Sequence, residues 1–203
     1  PINESKTVLY RINAGYENTE TFKTNMGTES FIVSPSISFA PNEKTSVNLD
    51  LVFANTNSKL YRGQPIFGAS AGTNLNSTPI SFTIGRASDY QKEKNFSATV
   101  SVTHKFSENF SINFSYLKFL YNENLMEHRT SNSYAVDSAG QEISTLMQMQ
   151  TIRRISKNYN DNLTSYAVKK FYTGPLQHQL LIGYDYNQFS VPVGGSSETA
   201  RGY

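Results

Sequence analysis

Apolar and polar residues alternate along seven stretches of the chain, each about ten residues long. The first stretch, 8–17, carries Val8, Tyr10 and Ile12 on one parity and Arg11 and Asn13 on the other. Because successive side chains of a β-strand point to opposite faces, this period of two gives a strand one apolar and one polar face. A tilted strand of about 9 to 11 residues can cross a bilayer. The pattern therefore predicts a β-barrel wall whose apolar face meets lipid and whose polar face lines the lumen.

Five of the other six stretches follow the same rule. The six lie near 31–39, 47–53, 96–104, 110–116, 163–172 and 180–186. The stretch near 163–172 has no parity that can be assigned to the outside. Pro35 in the second stretch argues for a sheet edge or a bulge, because proline cannot donate a hydrogen bond to the ladder. We predict an all-β, antiparallel, up-and-down transmembrane barrel, of which residues 1–203 are part of one domain with about seven strands.

The connections between these stretches are of two kinds that alternate along the chain. Tight turns lie near 41, 108 and 174, and longer segments lie near 24, 75 and 140. In a meander every second connection is on the same side, so one rim has short turns and the other has long loops. Bacterial barrels show this asymmetry, with short periplasmic turns and longer extracellular loops. Segments 55–94 and 122–161 are predicted as long loops, and long loops are usually functional.

The amino-acid composition limits the classes of protein to which this chain can belong. The apolar fraction is 37% and mean hydropathy is −0.46, and no run of about 18 apolar residues predicts a transmembrane helix. A barrel needs only every second residue to be apolar, so low hydropathy does not exclude it. The 13 Tyr and 13 Phe fit aromatic girdles. The net charge is +2 with scattered Lys and Arg, which does not favour a nucleic-acid partner.

No enzyme, cofactor or metal site is predicted. His104, His128 and His178 are far apart in sequence, and no nucleophile-elbow motif is present. The glycine-rich segment 68–72 lacks the strand and helix that a phosphate-binding loop requires. Met147 and Met149, followed by two arginines, could form a metal-binding pair, but the alternating pattern favours a strand that extends beyond the membrane.

The long loop between 55 and 94 offers the candidate ligand-binding residues. They combine aromatic surface with cationic donors, which suits an anionic, partly apolar iron chelate. These residues are Tyr61, Arg62, Phe67, Arg86 and Tyr90. The alternative is that they pack the loop against itself or against neighbouring strands.

Several short segments resemble barrel strands of TonB-dependent siderophore receptors of the ferrichrome-receptor type. They are 10–18, 31–39 with Pro41, and the strand from His178 to Tyr186. Arg62-Gly63-Gln64-Pro65 resembles the Arg-Gly-x-Pro segment that commonly follows the next strand in that family. The resemblance implies an arc of a barrel of about 22 strands around a plug. It also implies import of a ferric siderophore, energised by the TonB complex through a plug that this chain does not contain. In that family Arg62 would belong to a structural motif.

An open arc would leave two strand edges with unpaired backbone groups, each costing several kcal/mol in hydrocarbon. We therefore predict that the chain is a fragment of a larger barrel in the outer membrane, in contact with outer-membrane lipid. Two other interpretations stay open. One is a different outer-membrane barrel, such as a porin or an oligosaccharide transporter. The other is a soluble antiparallel β-sandwich that acts as a binding module, since it shows the same alternation.

Overall fold

The computed structural model describes residues 1–63 and 79–203, which form one antiparallel sheet. No helix in these ranges could span a membrane. The strands are β1 (Val8–Glu20), β2 (Gly27–Asn42), β3 (Thr45–Ser58), β4 (Tyr90–Ser107), β5 (Phe110–Val136), β6 (Glu142–Thr173), β7 (Leu176–Ser190) and β8 (Ser196–Gly202).

The strands follow one another in the sheet in chain order from β1 to β7, so the topology is an up-and-down meander. β8 also pairs with β6, beyond the part of β6 that β7 covers. Residues 191–195 bulge out between β7 and β8, and the Lys157 amide donates to the Gly195 carbonyl at 2.6 Å. β8 is therefore the continuation of β7 along the same neighbour. The predicted all-β, up-and-down architecture is confirmed.

The register places apolar residues of all seven strands side by side. One row, in strand order, contains Tyr10, Ile37, Leu49, Val100, Tyr116, Leu163 and Tyr186. The same register resolves the stretch near 163–172, because Leu163 and Ala167 lie opposite Tyr186 and Ile182. We call the apolar surface between the level of Phe96 and the level of Phe106 the apolar belt, and the side that carries it the outer face.

Almost no protein packs against the apolar belt. Tyr10 is 59% exposed and Ile182 is 65% exposed, and the apolar residues buried within the described ranges are Met26, Leu125 and Ile152. The accessible surface of the chain is 13845 Å², whereas a compact soluble protein of this mass exposes about 9,600 Å². A β-sandwich would bury this face against a second sheet. The fold is a single layer, and the sandwich interpretation is wrong.

The prediction of an edge or a bulge at Pro35 is also wrong. Pro35 lies inside β2 and pairs with Ile12 of β1, with strands on both sides. The pairing of β2 with β3 skips Ser34 and Pro35 and resumes in the same register. A two-residue gap in one ladder therefore accommodates the missing donor without a shift of register.

Segment 122–161 is not the predicted long loop. β5 continues to Val136 and β6 begins at Glu142, so the connection is a five-residue turn at 137–141. The Asp137 carboxylate accepts hydrogen bonds from the Ala139 and Gln141 amides, and Gly140 has a φ of +79°. The alternation fades here because polar residues lie on both faces of this hairpin. The predicted strand extension at 147–154 is confirmed, since it lies within β6.

The other connections between strands agree more closely with the predictions made from the sequence. The tight turns near 41, 108 and 174 are confirmed, and Gly174 takes the positive φ that the last one requires. The segment predicted as a loop over 55–94 is shorter, because β3 reaches Ser58 and β4 begins at Tyr90. Segment 68–72 and Phe67 lie outside the described residues.

Candidate functional site

Above the apolar belt, charged side chains collect on the inner face, opposite the side that carries the belt. The register gives one row of Gln91, Leu125, Arg154 and Glu198 across β4, β5, β6 and β8. Strand alternation places more charged residues on the same face. We call the whole group the rim network; it consists of Arg62, Gln91, Glu123, Glu127, Arg129, Arg154 and Glu198.

Glu127 is the anchor for the loop that follows β3. Its carboxylate is buried and receives two parallel hydrogen bonds from Arg62, with Nε at 2.8 Å and Nη2 at 2.9 Å. Arg129 adds a third bond through Nη1 at 3.1 Å. The bidentate contact raises the pKa of Arg62. Such paired charge-assisted bonds fix geometry as well as energy, so Arg62 ties the loop to β5.

Glu123 joins three strands in the same way. It accepts two hydrogen bonds from Arg154, at 2.8 and 2.9 Å, and one from the Gln91 amide at 2.9 Å. The hydrogen bonds from Arg154 are the main reason that the pKa of Glu123 lies below its ordinary value. This carboxylate is ionised at neutral pH.

The contacts of the rim network form one continuous series, and its charges balance. Glu198 of β8 lies 3.9 Å from Arg129 and 3.6 Å from Arg154. Within the described part of the chain the network contains three arginines and three glutamates. Leu125 and Ile152, the two fully buried side chains, lie on the same face between the ion pairs. Buried charges persist only when paired, so the network holds the loop, β4, β5, β6 and β8 as one unit.

A second cluster fixes the other end of the same loop. Asp89 accepts hydrogen bonds from the backbone amides of His128 (3.0 Å) and Arg86 (2.9 Å), and its other oxygen contacts His128 Nδ1. The Arg86 guanidinium lies 4.9 Å from the centre of the Tyr203 ring. His128 and Tyr203 are on the outer face by strand alternation, so this cluster and the rim network lie on opposite faces.

Residues 79–89 also pack on the β1–β2 connection. The Thr24 amide donates to the Ser81 carbonyl at 2.8 Å, and Lys23 Nζ donates to the Phe82 carbonyl at 3.4 Å. Lys59, directly after β3, donates to the Ala87 carbonyl at 2.8 Å. A Cβ on Gly85 would lie 3.0 Å from Met26 Cε, so a side chain at this position would have to displace the end of that methionine. A polar cavity of about 410 Å³ is formed by the ends of β1, β2 and β3 and the residues that connect them.

The structure does not bring the predicted site residues together. Arg62 is in the rim network, and the Tyr61 ring lies 5.0 Å from Lys23 Nζ. Arg86 stacks on Tyr203. Tyr90 is on the outer face, where its hydroxyl lies 3.5 Å from Asn124. Phe67, the fifth of these residues, is not among the described ones.

Sequence reasoning missed the carboxylates of the network. Glu123 and Glu127 are four residues apart, a spacing that puts both on one face of a strand. Recognising 122–161 as a hairpin would have predicted this alignment. In the two described ranges no three His, Asp or Glu side chains form a group suited to a metal ion.

Comparison with known proteins gives the context of this sheet. No family model matches the chain. It is 23% identical to the metal-pseudopaline receptor CntO of Pseudomonas aeruginosa, over 93% of this chain and 25% of that protein. The ferric-catecholate import receptor Fiu of E. coli K12 superposes with a TM-score of 0.74 at 18% identity, over 91% of this chain and 30% of Fiu.

A further solved structure is the receptor FpvA of P. aeruginosa with a bound pyoverdine. It superposes with a TM-score of 0.78 at 14% identity, over 98% of this chain and 25% of FpvA. The chain has the fold of a barrel segment of TonB-dependent siderophore receptors. The family resemblance expected from the sequence is confirmed for the fold, and the chain spans about a quarter of the length of the curated relatives it matches.

Proposed function

We propose that this chain is part of an outer-membrane receptor that imports a ferric siderophore or a related metal chelate. The observation that carries the proposal is the apolar belt, which runs across seven strands of a receptor-type meander without protein packed on it. Acyl chains are the solvent that such a face requires. The receptor names of CntO, Fiu and FpvA support the same role, and the proposed protein is a transporter, not an enzyme.

Ligand capture is assigned to the part of the sheet above the belt. Of the three arginines in the rim network, Arg62 has the most exposed side chain, at 40% compared with 26% for Arg129 and 30% for Arg154. We propose that Arg62 and Tyr61 contact an anionic chelate at this rim, with Glu127 as the competing partner of Arg62. Import then uses energy from the TonB complex through a plug, as the family resemblance implies.

Uptake by whole cells tests the proposal. Cells that lack the gene for the full-length protein are grown under iron limitation and offered a panel of ⁵⁵Fe-siderophores and other metal chelates. We expect at least one chelate to lose energy-dependent uptake and to regain it when the gene is restored. Equal uptake of every chelate by both strains, or uptake of unrelated small solutes at the same rate, would contradict a receptor and favour a general pore.

A further inference from the structure

On the outer face, the row of residues at the upper end of the apolar belt is followed by a row that is fully polar. One row of paired residues across β3, β4, β5 and β6 is apolar or aromatic and consists of Phe53, Phe96, Leu120 and Tyr159. The next row on the same face, two residues further along each strand, consists of Asn55, Lys94, Asn122 and Lys157. We call this second row the lysine row. The lysine row lies directly above the level of Phe96, at which the apolar belt ends.

The two lysines of this row are free of carboxylates. Both are exposed, and neither takes part in an ion pair within the described ranges. Lys118 differs because it lies inside the apolar belt, one row below Phe96 on the same face, where Asp161 holds it at 2.7 Å. Neighbouring strands are about 4.8 Å apart, so one strand separates Lys94 from Lys157. Their flexible stems can bring both ammonium groups to one anion, with the Asn122 amide between them.

An apolar groove lies directly below Lys94. It has a volume of about 350 Å³, and its outward side chains include Phe31, Phe53, Phe96 and Leu120. The rings of Phe53 and Phe96 are 4.9 Å apart. The groove is on the outer face, where the lumen ligand cannot reach it. A ligand that fills both features has an apolar chain and, next to it, a multivalent anionic group.

We propose that the lysine row and the groove form a binding site for a lipid with a phosphate-bearing headgroup in the outer leaflet. One acyl chain lies in the groove, and the phosphate lies between Lys94 and Lys157. Charge complementarity selects this occupant, because basic residues at the edge of a bilayer attract anionic headgroups. The inference depends on the proposed membrane location and adds a ligand on the lipid side of the wall.

Lipid binding to the purified full-length polypeptide in detergent tests this site. Native mass spectrometry gives the bound fraction for bis-phosphorylated lipid A, dephosphorylated lipid A and inorganic phosphate. The test variant is K94Q/K157Q. The matched control is K105Q/K169Q, which removes the same two charges from the other ends of the same strands, β4 and β6. Retained heat-modifiable mobility on gels confirms that each variant is folded.

We expect bis-phosphorylated lipid A to bind K94Q/K157Q at least fivefold more weakly than wild type, and the control to bind normally. Dephosphorylated lipid A should bind wild type as weakly as the phosphorylated lipid binds K94Q/K157Q. Equal binding of phosphorylated lipid to all proteins would overturn the site, and inorganic phosphate binding as tightly as the lipid would overturn its assignment to a lipid. Chelate uptake is measured separately, so failure of this site and failure of the proposed transport are distinguishable.

Discussion

β5 and β6 pass through two environments, and the two halves of this hairpin are built differently. In the lower half the outer face is mostly apolar, with Lys118 and Asp161 as a charged pair, and the inner face carries small polar residues such as Ser115 and Thr164. In the upper half Leu125 and Ile152 are buried and the rim network binds the strands to each other. In the proposed membrane location lipid stabilises the lower half from outside, whereas paired charges and a small core stabilise the upper half from inside. The backbone ladder is common to both halves.

The largest expected effect separates the two faces of the lower half. V100R puts a charge on the apolar belt near its middle and should lower the free energy of unfolding in vesicles by about 2–4 kcal/mol. T99R, one residue away on the inner face, should change it by less than about 1 kcal/mol. Denaturant unfolding of the full-length protein in lipid vesicles measures both. Equal costs for the two variants would show that the belt does not contact hydrocarbon.

The next effect belongs to the upper half. E127A removes the partner of Arg62 and Arg129 and should lower the local stability around β5 by about 1–3 kcal/mol, because buried charged groups lose their hydrogen bonds. E198A is the control: its carboxylate is 46% exposed and removing it should cost about 0–1 kcal/mol. Hydrogen exchange of peptides over 122–131 measures both variants. An effect of E198A as large as that of E127A would contradict the larger role of the buried Glu127 in the rim network.

The pH dependence of the upper half follows from Glu123. Its folded-state pKa is lowered by Arg154, so its contribution is complete above the ordinary pKa of 4.5 and is lost as pH falls through the lower folded value. Hydrogen exchange in the upper half, corrected for the intrinsic rate, should therefore accelerate as the pH falls below 4.5. E123Q should be faster already at neutral pH and should lose this dependence. A wild-type profile that is flat below pH 4.5 would argue against an ionised Glu123 as a source of stability.

The smallest effects compare two turns. Gly174 closes the β6–β7 turn and Gly140 closes the β5–β6 turn, and both have positive φ. Alanine at either position costs about 1 kcal/mol of backbone strain. G174A should lower global stability in vesicles by that amount, whereas G140A should affect only exchange at the tip of the upper half. A loss of global stability in G140A, with none in G174A, would mean that the upper half is required for barrel folding.

The lower half of the sheet could be predicted from the sequence because its residues follow one simple rule, the alternation of apolar and polar side chains. Val100 and Tyr116 had to share a face, and the register confirms it. The upper half follows no such rule, since polar residues lie on both of its faces. The position of each charged residue there depends on the residue with which it forms an ion pair. Ligand binding by Arg62 stays a prediction, and its partner Glu127 is 65 positions away in the sequence. Only the pairing of β5 with the neighbouring strands brings the two together.

The bulge between β7 and β8 has a consequence for whatever lies beside it. Tyr159 pairs with Ser190 and Ser156 pairs with Ser196, so three steps along β6 correspond to six along β7 and β8. A strand that pairs with the free edge of β7 and β8 meets three extra residues at this bulge. It must either carry a matching insertion or end at the bulge. The length of that next strand, and the height of the wall there, are set by Pro192 and the two glycines that follow Val193.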